Sequence, residues 1–260
     1  MVDRNPYPGA QTVSRAVALL KAFTDARPEW SASDLARAAD LNKTTTYRLL
    51  KALECEGMLA RNPATDAFRL GPEIIALGAR AARALDVRTV SRPELETLAH
   101  QTGETATLEV LAGGQVLILD EVLSQRLLGA AQSIGTRWPA HATSTGKSLL
   151  AELSEAERRA TLRPPLARLT DKTITTLSAL RHELARIRER GYATAIEELE
   201  AGFVAVGAPV RNHEGRAVAA ISIGGPSIRL TEDRLADVAG HVVQAARRIS
   251  EELGYRMRKT

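Results

Sequence analysis

The rhythm of the sequence changes within one short stretch, residues 71–87, and that change limits the chain to two differently built parts. Before Gly71-Pro72, apolar residues recur at helical spacing in short capped runs. Beyond about residue 85, β-rich apolar runs joined by glycine turns alternate with helical ones. A length of 260 residues accommodates two ordinary domains, each with its own core. We read 1–10 as an arm without periodicity, 11–70 as a first domain, 71–87 as a linker helix and 88–260 as a second domain.

In the first domain, Val13, Val17, Leu20 and Phe23 predict a helix closed by Arg27-Pro28. Ser33 is the expected N-cap of a second helix over 34–39, with Asp34 in the first turn where the helix dipole favours an acid. A turn at Asp40-Leu41-Asn42 leads into a third helix, capped by Asn42 and ending near Glu54 ahead of Gly57. Two extended pieces, 58–61 and 67–70, flank a turn. At about 100° per residue, Thr46, Leu49, Leu50 and Leu53 of the third helix share one side. Thr44, Arg48 and Lys51 share the other, together with Lys43 at the start, and no acid interrupts the stretch from Asn42 to Leu53. Such a face suits a helix laid against phosphates with short hydroxyl side chains near base edges. On an isolated helix the same face reads more readily as a solvated surface. In the order capped helix, tight turn, capped helix and hairpin it describes a winged helix-turn-helix, with Ser33, Lys43, Thr44, Thr45, Tyr47, Arg48, Lys51, Arg61 and Arg69 as the candidate contacts to double-stranded DNA.

The second domain reads as helices over 92–102, 144–152, 154–162 and 177–190, the last closed by Gly191. Strands are expected over 105–111 and 115–122 and again over 203–211 and 216–224. A final helix capped by Thr231 carries the stripe Leu235, Val238, Val242, Ala246, Ile249 and Leu253. Hairpins with flanking helices predict an antiparallel sheet packed by helices, an α+β domain.

Several function classes fall away. No apolar run approaches the ~20 residues of a membrane span, and the N-terminus lacks the apolar core of a signal peptide, so a cytoplasmic place is expected and no membrane partner. The single cysteine, Cys55, forms neither an internal disulfide nor a thiolate zinc site, and a redox role is less expected for it than a passive one. His100, His141, His182, His213 and His241 show no paired spacing, so neither a metal nor a cofactor is expected. Gly146-Lys147-Ser148 ends like a phosphate-binding loop, but His141 stands where its first glycine is required. The stretch 142–146 approaches a nucleophile elbow around Ser144. However, Trp138-Pro139-Ala140-His141 before it reads as loop rather than strand, so a hydrolase or acyl-transfer enzyme using Ser144 is the weaker alternative and no catalytic residue is assigned.

Three stretches of the first domain carry a resemblance: Thr12-Val13-Ser14-Arg15-Ala16, Thr46-Tyr47-Arg48-Leu49-Leu50-Lys51-Ala52-Leu53 and Phe68-Arg69-Leu70-Gly71. So do the segments running from Trp138 to Lys147, from Gly202 to Val210 and from Ala219 to Pro226 in the second. In this order the chain, from Gln11 to about Gly254, resembles the IclR family of bacterial transcriptional regulators. The resemblance implies a GAF- and profilin-like effector domain, dimers that pair into tetramers on a pseudo-palindromic operator, and control of transcription, often as a repressor.

A ligand site in the second domain rests on both kinds of reading. At Ser144-Thr145-Gly146 loop turns into helix, where hydroxyls and backbone N–H groups favour an anion, so a carboxylate effector is expected. Alternation sets Val204, Val206, Ala208 and Val210 on one strand face, and Phe203, Ala205, Gly207 and Pro209 on the other. On the partner strand Ala220, Ser222 and Gly224 share a face. The resemblance implies effector contacts from Ser144, Thr145, Gly146, Ala195, Ala205, Ser222 and Gly224. Family members that bind small oxoacids tend to carry an aspartate at the place of Ala195, a polar or thiol group at that of Ala205 and a second serine at that of Gly224. Their replacement by small groups implies a larger, more apolar carboxylate, aromatic or branched.

Overall fold

The computed structural model describes residues 10–24, 26–84, 86–124 and 134–256; apart from Ala10, the expected arm lies outside them. The chain divides between residues 84 and 85 into two compact units.

The first unit holds α1 (Gln11–Leu20), α2 (Ala32–Ala38), α3 (Lys43–Cys55), the antiparallel ribbon β1 (Leu59–Arg61) and β2 (Phe68–Leu70), and α4 (Pro72–Ala84). Its core is small: Leu19, Leu35, Leu49, Leu50, Leu59 and Phe68, one or two residues from each element before α4. Helix α1 stops at Leu20 rather than at Arg27. The Arg27 N–H binds both the Thr24 carbonyl (3.0 Å) and the Thr24 hydroxyl (3.2 Å), and this local bonding competes with the helix. Between α2 and α3, Asp40 takes a left-handed φ of 53°, and the Leu41 N–H returns 2.9 Å to the Ala36 carbonyl, a Schellman closure that makes the turn abrupt. Trp30 exchanges both backbone hydrogen bonds with Phe68 (2.9 and 2.8 Å), adding a rung to the ribbon that periodicity does not show.

The second unit holds α5 (Asp86–Thr102), β3 (Thr105–Ala112), β4 (Gln115–Val122), β5 (Arg137–Pro139), a 3-10 turn (Ala140–Ala142), α6 (Ser144–Glu152), α7 (Glu155–Thr161), α8 (Leu177–Arg190), β6 (Ala193–Ile196), β7 (Phe203–Arg211), β8 (Ala217–Pro226) and α9 (Glu232–Glu252). The strands form one antiparallel sheet in the order β5-β4-β3-β8-β7-β6. Helices α5 and α9 cover one face, burying Leu95, Leu98, Val238, Val242 and Ile249 against Leu108, Val206, Ala208, Ile221 and Ile223. Helices α6 and α8 cover the other through Leu149, Leu150, Leu180, Leu184 and Ile187. The architecture is α+β, as the hairpins and flanking helices predict.

Two expectations are corrected here. Helix α5 begins at Asp86 rather than 92 and runs through Pro93, because the turns before the proline are anchored by Val87 and Val90 in the core. The stretch around Trp138 is not loop: β5 pairs with β4, Val116 facing Trp138, and the 3-10 turn follows. Among the described residues no helix is long and apolar enough to cross a membrane.

Candidate nucleic-acid interface and ligand site

Asn42 opens α3 by accepting the Thr45 N–H on its side-chain oxygen at 2.8 Å. Thr46, Leu49 and Leu50 point inward and are buried. This orientation leaves Lys43, Thr44, Tyr47, Arg48 and Lys51 exposed, with Thr45 partly covered. Among the described residues Lys43, Arg48 and the wing's Arg69 have no carboxylate partner, so their charges are available to an anionic surface. Lys51 is shared with Glu54 at 2.9 Å. Arg61 is tied inward: it meets Glu54 at 3.1 Å, pairs with Asp66 and lies over the Phe68 ring at 4.5 Å. The hydrogen bond from Lys51, with the charges of Lys51 and Arg61, holds the Glu54 carboxyl below the usual carboxylate range. The acid that matters for this face thus stands one residue past the acid-free stretch. Ser33 is exposed and does not cap α2. Ser31 does, accepting the Asp34 N–H at 3.1 Å, and the spacing of a hydroxyl three residues before an acid is the signal that distinguishes the two serines.

In the second unit the register aligns Ala193, Gly207, Ser222 and Thr107 across four strands, with Ala195, Ala205, Gly224 and Thr105 in the next row. Helix α6 begins directly over the first row. A Cβ at Gly207 would stand 2.9 Å from the Thr145 nitrogen and 3.0 Å from Ser144 Oγ, so this glycine is what lets helix and sheet approach. Thr107 Oγ1 lies 2.8 Å from Ser222 Oγ and 2.8 Å from Glu109 Oε1, and Thr145 Oγ1 donates to Glu109 Oε2 at 2.6 Å. Glu109 is buried without an ion-pair partner among the described residues. Burial pushes its carboxyl above the ordinary range, against the pull of the hydroxyl donors Thr145 and Thr107.

The structure therefore gathers Ser222 and Thr145 into one cluster, and adds Thr107 and Glu109, which sequence reasoning missed. Their signal was alternation: 105, 107 and 109 share a face opposite Ala106 and Leu108, but only the pairing of β3 with β8 brings that face to Ser222. Two expected contacts have other roles. Gly146 gives its N–H to Thr143 Oγ1 (3.1 Å), and a Cβ on it would sit 2.2 Å from the Ala140 carbonyl, so it is a packing position rather than a free donor. The space expected over Gly224 is filled by the Phe203 ring, whose Cζ would be 2.6 Å from a Cβ there. Ala195 and Ala205 remain small, buried neighbours across β6 and β7. His141 turns its Nε2 to the Ala167 carbonyl (2.9 Å), and Lys147 is buried in an ion pair with Glu198. Among the described residues no group of acids, histidines and cysteine is placed to hold a metal ion.

A capped helix-turn-helix with a wing, followed by this helix-covered antiparallel sheet, matches known models in both halves. Residues 12–63 match the IclR helix-turn-helix domain, and residues 79–251 match the C-terminal domain of the bacterial transcriptional regulator IclR. The chain belongs to the IclR family. Among IclR-family relatives, the transcriptional regulator XynR of Escherichia coli K12 is 34% identical over 249 residues, covering 95% of this chain and 99% of XynR. The transcriptional repressor AllR of the same organism is 32% identical over 247 residues, 95% of this chain and 91% of AllR. The crystal structure of an IclR homolog from Microbacterium hydrocarbonoxydans, complexed with 4-hydroxybenzoate, superposes with a TM-score of 0.82 at 30% identity, over 94% of this chain and 99% of that one. These relatives are regulators and repressors, and this IclR-family chain is a DNA-binding transcription regulator, not an enzyme.

Proposed function

We propose that this regulator binds a pseudo-palindromic operator as a homodimer or dimer of dimers in the cytoplasm, and that a small carboxylate held in its second unit shifts operator occupancy to control a catabolic operon. The observation that carries the DNA-reading role is the exposed face of α3, where Lys43 and Arg48 lack carboxylate partners among the described residues. Thr44, Thr45 and Tyr47 stand beside them for base edges, Lys51 and Arg69 for phosphates. A single winged helix reads too few base pairs for useful specificity, so two copies are required. Helix α1 leaves Val13 66% and Val17 40% exposed, and α4 leaves Ile75 75% exposed, apolar surface that suits a second copy of this chain. For the effector, the cluster of Ser222, Thr107, Thr145 and Glu109 beside Ala195 and Ala205 supplies a polar end and an apolar body. The homolog complexed with 4-hydroxybenzoate supports an aromatic carboxylate.

Anisotropy titrations of the chain against the DNA flanking its own gene test the first part, with Arg48→Ala as the variant and salt as the variable. Binding that neither the variant nor salt weakens sinks the reading of α3. Light scattering that finds only single chains of 28.0 kDa, with and without DNA, sinks the assembly.

A further inference from the structure

The site proposed above contains a carboxyl group where a pocket for a carboxylate would be expected to hold a cation, and the way that group is wired says what it does. Glu109 faces Thr107 on its own strand, Ala220 and Ser222 across on β8, Ile118 on β4 and Thr145 on α6. Lys147 of α6 is held by Glu198, Glu152 by Arg211 and Asp120 of β4 by Arg92, and β8 carries no ionisable residue. Glu121 of β4 is the exception: it stands directly opposite Thr107, with one carboxyl oxygen buried and without a hydrogen-bond partner among the described residues, and burial together with the charge of Asp120 raises its carboxyl. Among the described residues the hydrogen bonds to the Glu109 carboxyl come from hydroxyls, those of Thr107 and Thr145.

A hydroxyl has one proton to give. With Glu109 ionised, Thr107 and Thr145 both donate to it, so the Thr107–Ser222 contact of 2.8 Å is closed by the Ser222 proton. Every hydroxyl proton of the cluster is then directed inward, and Ser222 offers a ligand only lone pairs. One proton on Glu109 reverses part of this chain. Carried on Oε1, it is donated to Thr107, whose own proton turns to Ser222 and frees the Ser222 O–H. Carried on Oε2, it is donated to Thr145 and frees the Thr145 O–H. In either case one donor is released beside the row of small residues.

We propose that Glu109 is the residue that sets the ligand class of this site: in its neutral form it makes Ser222 or Thr145 a donor, so the ligand end seated there is a carboxylate or carbonyl oxygen, and the site takes up one proton from solvent as it binds. This rests on the effector reading of the same cluster. Burial of Glu109 without a counter-ion favours the neutral form to a higher pH than for an exposed glutamate.

The probe is 4-hydroxybenzoate, titrated calorimetrically against the full-length protein between about pH 5.5 and 8.5, where its carboxyl stays ionised. Affinity of the wild type falls with rising pH, by up to about tenfold per pH unit above the Glu109 midpoint. Buffers of differing ionisation enthalpy report one proton taken up. Glu109→Gln, whose amide mimics the neutral acid, binds within a few-fold of the low-pH wild-type affinity with no pH dependence. Should that variant misfold, Glu121→Gln assigns the proton: it keeps the wild-type uptake if Glu109 is the acceptor, and loses it if Glu121 is, which overturns the role of Glu109. Binding that Ser222→Ala or Thr145→Ala weakens, yet is flat with pH and takes up no proton, overturns the role of Glu109 alone. Binding that both variants leave untouched, or no binding at the acid end of the range, overturns the effector reading and this inference with it.

Discussion

The polar groups on the outer face of α3 stand in solvent and lean on few neighbours, whereas those on the floor of the second unit are sealed and satisfied by one another. Lys43 and Arg48 are exposed; Thr107, Glu109, Thr145 and Ser222 are each at most 5% exposed and linked by hydrogen bonds of 2.6 to 2.8 Å. The two arrangements suit different partners. Exposed cations meet a phosphate lattice with little prior structure, and their attraction weakens as salt rises. A buried network is insensitive to salt, keeps its geometry without a partner and discriminates by the number and direction of its protons. An α3 contact is therefore expected to read out as a change in affinity, and a second-unit contact as a change in stability or in proton linkage.

The sharpest way to break this contrast is to remove a charge from the buried side. Lys147 is 1% exposed and its only ion pair among the described residues is with Glu198, whose carboxyl burial raises against the pull of Lys147. Lys147→Met leaves that acid without its cation, and the second unit is expected to lose about 3 kcal/mol. The sign with pH follows from the raised native value. The stranded Glu198 is neutral and harmless below the ordinary glutamate range, and stability is lost as pH rises through its elevated native midpoint. Chemical denaturation at about pH 5 and 8 should show the penalty growing with pH in the transition of the second unit only. A pH-independent penalty, or none, removes Lys147 and Glu198 from the structural account.

On the exposed side the effect moves to affinity. Arg48→Ala is expected to weaken operator binding by about 1 to 3 kcal/mol and to leave the unfolding transition of either unit in place, since Arg48 is exposed and has no ion-pair partner among the described residues. A matched loss of stability would mean that Arg48 supports the helix rather than the contact.

The same contrast explains what could be read from the chain. Helix α3, its Asn42 cap, the span of α6 and α8, and the alternation of β7 are local patterns, each complete within one segment. The Trp30 rung, β5 and β6 are short pairings of distant segments, too brief to show a period. The face of α3 follows from one helical wheel. The floor of the second unit does not, because Thr107 meets Ser222 only through the register of β3 with β8, and Thr145 reaches Glu109 only because Gly207 lets α6 descend. Phe203 illustrates the limit: alternation assigns it to the same face as Ala205, but only the register places its ring over Gly224 and closes the volume expected there.

The smallest expected effect separates two arginines that look alike in the wing. Arg61 and Arg69 lie on paired strands, and Ala60 rather than Arg61 is the direct partner of Arg69. Arg61 is 24% exposed at its side chain, bound to Glu54 and Asp66 and laid over Phe68, whereas Arg69 is exposed with no acid beside it among the described residues. If exposure and free charge decide what DNA feels, Arg69→Ala lowers the slope of log affinity against log salt by about one, and Arg61→Ala leaves it nearly unchanged. Arg61→Ala should instead loosen the wing, by under about 1 kcal/mol because its ion pairs are partly solvated. It should also release Glu54, whose negative charge then lies nearer to the phosphates. That second consequence predicts a slight, salt-dependent weakening at low ionic strength that vanishes in Arg61→Ala/Glu54→Gln. Equal salt slopes lost by the two single variants would show that Arg61 leaves its acids when DNA arrives, and that a cation's partners in the free protein do not decide its role on the operator.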